Sequence, residues 1–291
     1  MNLRQTRKKI KTIGNVSKIT KAMQMVSAVR MKKAQREALE GREYRIILDM
    51  IAQKVINGED LHSLSQDSGK NNSIKKEKNL FILISSNKGL CGSFNVNIFR
   101  FLAHHARLEK DDFIVVGKKG ADFLSHMRAS VTANFSDQKP LIDAVSPLFS
   151  LIYENFLNHA YTAIFIVYNK FVSTFKNEPV MIQLFPIQSK EVLIEASNKK
   201  QNNSPEHLIE PSPRLLIESL LKDMLREKIK IAFLDSMAGE HASRMMAMKN
   251  ATDSASDIMY NLTCLRNKLR QQNITYELLD MIAAGASSPS N

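Results

Sequence analysis

The chain has 291 residues, 44% of them hydrophobic, with 24% charged and a net charge of +12. That is ordinary for a folded globular protein and excludes a wholly disordered one. No apolar run approaches the roughly 20 residues needed to cross a bilayer, and the opening MNLRQTRKKIKTIGNV lacks the apolar core of a signal peptide, so a protein of the cytoplasmic side is expected.

Residues 1 to 36 hold eleven Lys and Arg and no acid, which leaves 30 basic against 29 acidic residues in the rest of the chain. A block this one-sided is either a solvated helix face or the mark of an acidic partner: nucleic acid, anionic lipid or an acidic protein surface. From Leu3 to about Ile56 there is no proline, only Gly14 and Gly41 interrupt, and helix formers dominate, so one long helix is expected. Its best apolar stripe is Val16, Ile19, Met23 and Val26, with the small residues Ala22, Ser27, Ala28 and Ala34 alongside to admit a partner helix. The polar stretch 57–78 reads as a linker.

Between about 79 and 195 short β-rich runs alternate with helical stretches: NLFILIS, DFIVVG, SVTANF, YTAIFIVYNKF and PVMIQLFPI. Such alternation predicts an α/β domain with parallel strands, the last two runs forming a hairpin. A second linker is expected over 195–213.

From about Arg214 to Ala284 there is no proline and only Gly239, which predicts one helix of about 70 residues. In its second half Met248, Ala251, Ala255, Ile258, Leu262, Leu265, Leu269, Gln272, Tyr276, Leu279 and Ala283 alternate by 3 and 4, the spacing of a coiled-coil seam. At 1.5 Å per residue the first helix would span about 80 Å and the second about 105 Å, leaving roughly 25 Å of overhang if they run antiparallel.

The stretch SSNKGLCGSFN (85–95) follows a strand and carries two glycines and a cysteine. It lacks the GxxxxGK[ST] of a P-loop and the GxGxxG of a dinucleotide site, since Gly89 and Gly92 give only GxxG with Lys88 ahead of them. Cys91-Gly92-Ser93 is superficially similar to thiol proteases, but a thiolate nucleophile needs a histidine base and an orienting partner. His104, His105, His126 and His159 read as surface or packing residues of helices. Cys91 and Cys264 stand far apart without CxxC spacing, so neither zinc nor a disulfide is suggested, and both read as small buried hydrophobes in a reducing compartment. The methionines of AMQMVSAVRM and SRMMAMKNA read as helix-packing filler. No cofactor is expected.

KITKAMQMVSAVRMKKAQ (18–35), SSNKGLCGSFNVNIF (85–99) and the segment 240–286 from EHASRMMAMKNA to MIAAGA strongly resemble the three signature regions of the gamma subunit of F-type ATP synthases, in the same order and at similar spacing. The resemblance implies an α/β fold in which the terminal helices (1–56 and 213–286) form a long antiparallel coiled coil with a Rossmann-like domain inserted (79–195). It implies a central rotor shaft, one copy per complex, inside a ring of alpha and beta subunits. The lower part, with the epsilon subunit, would stand on the membrane c-ring at the cytoplasmic face of a bacterial inner membrane, a mitochondrial one being the less favoured location. Catalysis would belong to the beta subunits.

By the same resemblance Arg270 and Gln271 match a pair that bonds a beta-subunit catch loop, and Thr275 and Glu277 match polar positions near the bearing. Lys21, Met23, Lys32 and Lys33 match the part swept past the acidic loop of the beta subunits. The family's Asp-Arg before Gly-Leu-Cys-Gly is Asn87-Lys88 here, and a lysine cannot reproduce a bidentate guanidinium contact. Tyr276 replaces the usual glutamine, the tail ASSPSN is more polar than usual, and the cysteine-bearing insert of chloroplast relatives is absent, so thiol switching is not expected. The alternatives are a basic coiled-coil nucleic-acid-binding protein, which here lacks aromatics interleaved with its basic residues, and an enzyme centred on Cys91.

Overall fold

The computed structural model describes residues 2–55, 78–137, 141–158, 160–186 and 213–286. The elements run α1 (Leu3–Val55), β1 (Asn79–Ile84), α2 (Phe94–His105), β2 (Asp112–Val116), α3 (Lys118–His126), β3 (Ser130–Asn134), a 3-10 turn (Leu141–Ala144), α4 (Val145–Leu157), β4 (Ala163–Phe171), β5 (Asn177–Phe185) and α5 (Pro213–Ala286). The expected linkers 57–78 and 195–213 lie, but for Lys78 and Pro213, outside the described residues.

The five strands form one mixed sheet in the order β3-β2-β1-β4-β5. β1 to β4 are mutually parallel and β5 returns antiparallel to β4, as the alternating pattern and the terminal hairpin predict. The central strand is NLFILI, and its residues after Asn79 are all buried. A strand covered on both faces has no reason to alternate, so it reads as a continuous apolar run. One face carries Leu80, Ile82 and Ile84, packed with Leu148 and Ile152 of α4 and with Leu225, Ile229 and Phe233 of α5. The other carries Phe81 and Leu83 against Ile98 and Leu102 of α2 and Leu124 of α3. Phe81 stacks between Phe113 and Phe165, at ring centroid distances of 5.8 and 5.2 Å.

The chain divides into two compact units: 1–28 with 244–291, and 29–243. The sheet therefore shares its unit with the second half of α1 and the first part of α5, because α5 itself contributes to the sheet's core. In that unit α1 and α5 meet through Leu48 with Ile217 and Leu220. They also meet through an ion pair, Arg45 Nη1 to Glu227 Oε1 at 3.5 Å, with Lys230 Nζ 3.6 Å from the other carboxylate oxygen. A Cβ at Gly41 would stand 3.0 Å from that Glu227 Oε1, so the α1 backbone is bare where the carboxylate lies against it.

The turn from β2 into α3 is equally close. Gly117 has φ +99°, and a Cβ there would fall 2.2 Å from the Ser85 carbonyl oxygen. Gly117→Ala is expected to lower unfolding free energy by about 2–4 kcal/mol in urea titration, since both the backbone region and the space exclude a side chain. Gly89→Ala, with nothing within 4 Å of the new atom, is expected to change it by less than about 0.5 kcal/mol.

Asp235 of α5 is raised above its ordinary carboxyl pKa of 3.8, chiefly by burial, against the opposing charges of Lys170 and Arg45. The neighbouring Tyr168 is pushed up to about 12 by burial and by Asp235. As pH rises, the unfolded Asp235 gives up its proton before the folded one, so stability falls from near pH 3.8 until the folded group has ionised. Asp235→Asn is expected to be more stable than the parent chain at pH 7, the difference disappearing below that range, as followed by thermal melts across pH.

Candidate functional site

All eleven basic residues of positions 1–36 are exposed, Lys21, Lys32 and Lys33 among them. Lys33 makes a 3.8 Å ion pair with Glu37 on the helix surface. Met23 is half-buried.

The packed edge of α1 is not the apolar stripe. Val16, Ile19 and Val26 are 47%, 60% and 52% exposed. In the 1–28/244–291 unit the covered positions instead include Leu3, Thr6, Ile10, Ile13, Ser17, Thr20, Gln24 and Ser27, alternating 3 and 4 but mostly small or polar. Thr20 Oγ1 meets Thr252 Oγ1 of α5 at 2.7 Å, and a Cβ at Gly14 would lie 3.6 Å from Met259 Sδ. Moving back along α1 moves forward along α5, so the two helices are antiparallel.

The expected seam on α5 is corrected at its intervening positions. Ala255 is buried, Leu262 and Leu269 are half-buried, but Ile258 and Leu265 are exposed. At those two places the half-buried residues are Met259 and Arg266, one position later, while Ala251 and Thr252 are both half-buried. The Thr20–Thr252 hydrogen bond and the Gly14–Met259 approach select that face, although Ile258 and Leu265 are the more apolar pair. Tyr276 and Leu279 are exposed as well, along with every position from Arg270 to Ile282, so Arg270, Gln271, Thr275 and Glu277 all stand on open helix. Thr275 Oγ1 donates to the Gln271 carbonyl at 3.0 Å. Cys264 is also exposed, which corrects its reading as a buried hydrophobe: it falls on the outward side of α5, beside Leu265.

The 85–95 loop is tied at both ends. Ser85 Oγ accepts from Gly120 N at 2.8 Å, and Asn87 Oδ1 accepts from Lys118 N at 2.9 Å, capping the start of α3. Ser86 N donates to Asn95 Oδ1 at 3.2 Å, while Asn95 Nδ2 donates to Ser86 Oγ at 2.8 Å and to Cys91 Sγ at 3.2 Å. Cys91, 2% exposed, is packed inward as expected. Lys88 is exposed at the tip, and so is Leu90, which is held at φ +62° and 63% exposed. Gly92 takes φ +58°, but neither it nor Gly89 has an atom within 4 Å of a built Cβ. Gly92 therefore serves the backbone turn and not the close approach of a neighbouring helix. Leu90 was not legible in the sequence, because nothing in its surroundings signals a left-handed, outward-facing leucine.

His104, His105 and His126 are exposed, and His159 lies outside the described residues. Among the described residues no group of His, Cys, Asp and Glu is arranged to hold a metal ion, and no helix is long and apolar enough to cross a membrane.

The family profile described as ATP synthase matches residues 2–288. The ATP synthase gamma chain of Dehalococcoides mccartyi is 34% identical, over 98% of this chain and 99% of its own length. That of Glaesserella parasuis is 31% identical, over 98% of each. The chain belongs to the ATP synthase gamma chain family.

Gamma chains are non-catalytic subunits of the F-type ATP synthase, the catalytic sites being on beta, so the reading of Cys91 as an enzyme's nucleophile falls away. The nucleic-acid-binding alternative has no support in these comparisons. Among solved structures, a chain of the Euglena gracilis mitochondrial ATP synthase (OSCP/F1/c-ring, rotational state 3) superposes with a TM-score of 0.64 at 18% identity, covering 99% of this chain and 97% of that one. A chain of the Tetrahymena thermophila mitochondrial ATP synthase central stalk and c-ring gives 0.54 at 22% identity, over 80% and 99%. These share the fold: terminal helices about a central mixed sheet.

The two thiols offer a direct check on the loop and on α5. In the native gamma chain, Cys264 is expected to react promptly with a thiol reagent and Cys91 only after denaturant is added, read as two separated steps of thiol titration. Prompt reaction of both would contradict the packing of the loop.

Proposed function

We propose that this gamma chain is the central-stalk rotor of an F-type ATP synthase, coupling transmembrane proton flow to ATP synthesis or hydrolysis. Its terminal helices, 1–56 and 213–286, act as a long antiparallel coiled-coil shaft joined through 57–78 and 195–213 to the α/β domain at 79–195. The observation that carries this reading is the run from Arg270 to Ile282. Every position there is exposed although Ile274, Leu278, Leu279, Met281 and Ile282 are apolar. At 100° per residue these five fall within one sector of about 160°, opposite Asn273, Glu277 and Asp280, and an uncovered apolar side of that width calls for a protein sleeve to cover it. The sleeve proposed is the hexamer of alpha and beta subunits, with one gamma chain per complex, and with the epsilon subunit and membrane c-ring at the opposite end. The complex stands on the cytoplasmic face of a bacterial inner membrane. Nucleic acid is not a partner.

Arg270 and Gln271 would engage a beta-subunit loop, with Thr275 and Glu277 near the bearing. Lys21, Met23, Lys32, Lys33 and Lys88 would face the moving acidic parts of beta. The first-helix lysines are exposed, so each contact is long-ranged and screened, worth about 0.2–1 kcal/mol. Weak contacts of this kind favour rotation, because no single angle becomes a trap.

The isolated chain is expected to hydrolyse no ATP, and a mixture with alpha and beta subunits to assemble and hydrolyse it. Replacing Lys21, Lys32 and Lys33 together by Gln should slow that hydrolysis severalfold at low salt and less at high salt. ATP hydrolysis by the chain alone, or its failure to join alpha and beta, would refute the reading.

A further inference from the structure

Gly239 sits where three elements of the 29–243 unit meet. A Cβ built on it would come 2.9 Å from Asn177 Oδ1 and 3.4 Å from Phe94 Cε2. Asn177, the first residue of β5, donates from Nδ2 to the Gly239 carbonyl at 3.3 Å and to Ser243 Oγ at 2.8 Å. Asn169 of β4 is 1% exposed and donates from Nδ2 to the Phe94 carbonyl at 3.0 Å. The two asparagines share a face of the hairpin, since Asn177 pairs with Phe171, two residues from Asn169. Both of their Oδ1 atoms are buried without a hydrogen-bond partner. Orphaned acceptors are rare in folded chains, and two together mark a place where the donors' targets outweigh the cost.

Phe94 begins α2 and directly follows the loop. A continuous path therefore runs from the loop, through the Ser86–Asn95 knot and Phe94, to Asn169, across the β4–β5 pairing to Asn177, and into α5 at Gly239. We propose that Asn169, Asn177 and Gly239 are positioning residues that hold the loop bearing Lys88 and Leu90 in fixed register with α5, so that turning force passes between them without slack. This inference rests on the rotor reading.

The test uses the full chain carrying Cys264→Ser, leaving Cys91 as a thiol reporter of how the loop is seated. Gly239→Ala and Asn177→Ala are each expected to raise the rate of Cys91 labelling about tenfold, the effect of losing one buried hydrogen bond on a local opening. Helix propensity alone would have Gly239→Ala stabilise α5, so its urea midpoint should not track the labelling. Combining the two should add little to Asn177→Ala, because removing the asparagine makes room for the new methyl. In the assembled membrane complex the single variants should still hydrolyse ATP but pump fewer protons per ATP than the parent chain. Labelling equal to the parent, additive effects in the double variant, or an unchanged pumping ratio would each overturn the inference. A parent chain that assembles but supports no ATP-driven pumping would instead overturn the rotor reading, and this inference with it.

Discussion

The structure of the 29–243 unit depends on the burial of one side of α5 against the sheet. Leu225, Ile229 and Phe233 of α5 close the core beside Leu80, Ile82 and Ile84 of the central strand. Phe233 is fully buried, and a side chain of that size contributes about 1.5–3 kcal/mol by leaving water. That packing fixes which side of α5 faces the strands and therefore which side remains for α1. It places Glu227 near Arg45 and brings Gly239 under the β4–β5 hairpin. A rotation of α5 by one residue, about 100°, would break all three relations together.

Elements whose physics is carried by composition were legible in the sequence. NLFILI and DFIVV are continuous apolar runs because both faces of those strands are covered, and the hairpin announced itself through two adjacent β-rich runs. The two terminal helices followed from long stretches without proline. The faces of those helices were not legible. Periodicity places apolar residues inside, whereas here Val16, Ile19, Ile258 and Leu265 are outside, while Ser17, Thr20 and Thr252 are packed. On α5 every seventh residue from Met248 to Leu269 is buried or half-buried, whereas Ile258 and Leu265 between them are exposed and the residues after them, Met259 and Arg266, are half-buried. The outward positions are also apolar, so two overlapping stripes compete in the same helix.

The loop shows a similar divide. Its inward cysteine could be read from residue type, since a free thiol without a base or metal partner packs as a small apolar group. The Asn87 cap on α3 and the Asn95 bonds to Ser86 and Cys91 join residues whose partnership depends on tertiary placement. Asn169 and Asn177 are further cases: in sequence they look like ordinary polar residues at the end of one strand and the start of the next.

Two glycines in the long helices share one explanation. A glycine inside a helix costs about 1 kcal/mol relative to alanine, so its presence in stretches otherwise rich in helix formers calls for an offset. At Gly41 the missing Cβ leaves room for Glu227 Oε1, and at Gly239 for Asn177 Oδ1, at 3.0 and 2.9 Å from where that atom would stand. In each case a polar side chain from another element lies directly on helix backbone, so close that an alanine there would push it back. Gly14 differs, since its nearest neighbour, Met259 Sδ at 3.6 Å, is at ordinary contact distance. An alanine would fit there without displacement. Gly89 and Gly92 of the loop have no such neighbour within 4 Å, so the close approaches fall on the helices, where a polar group from a second element reaches the backbone.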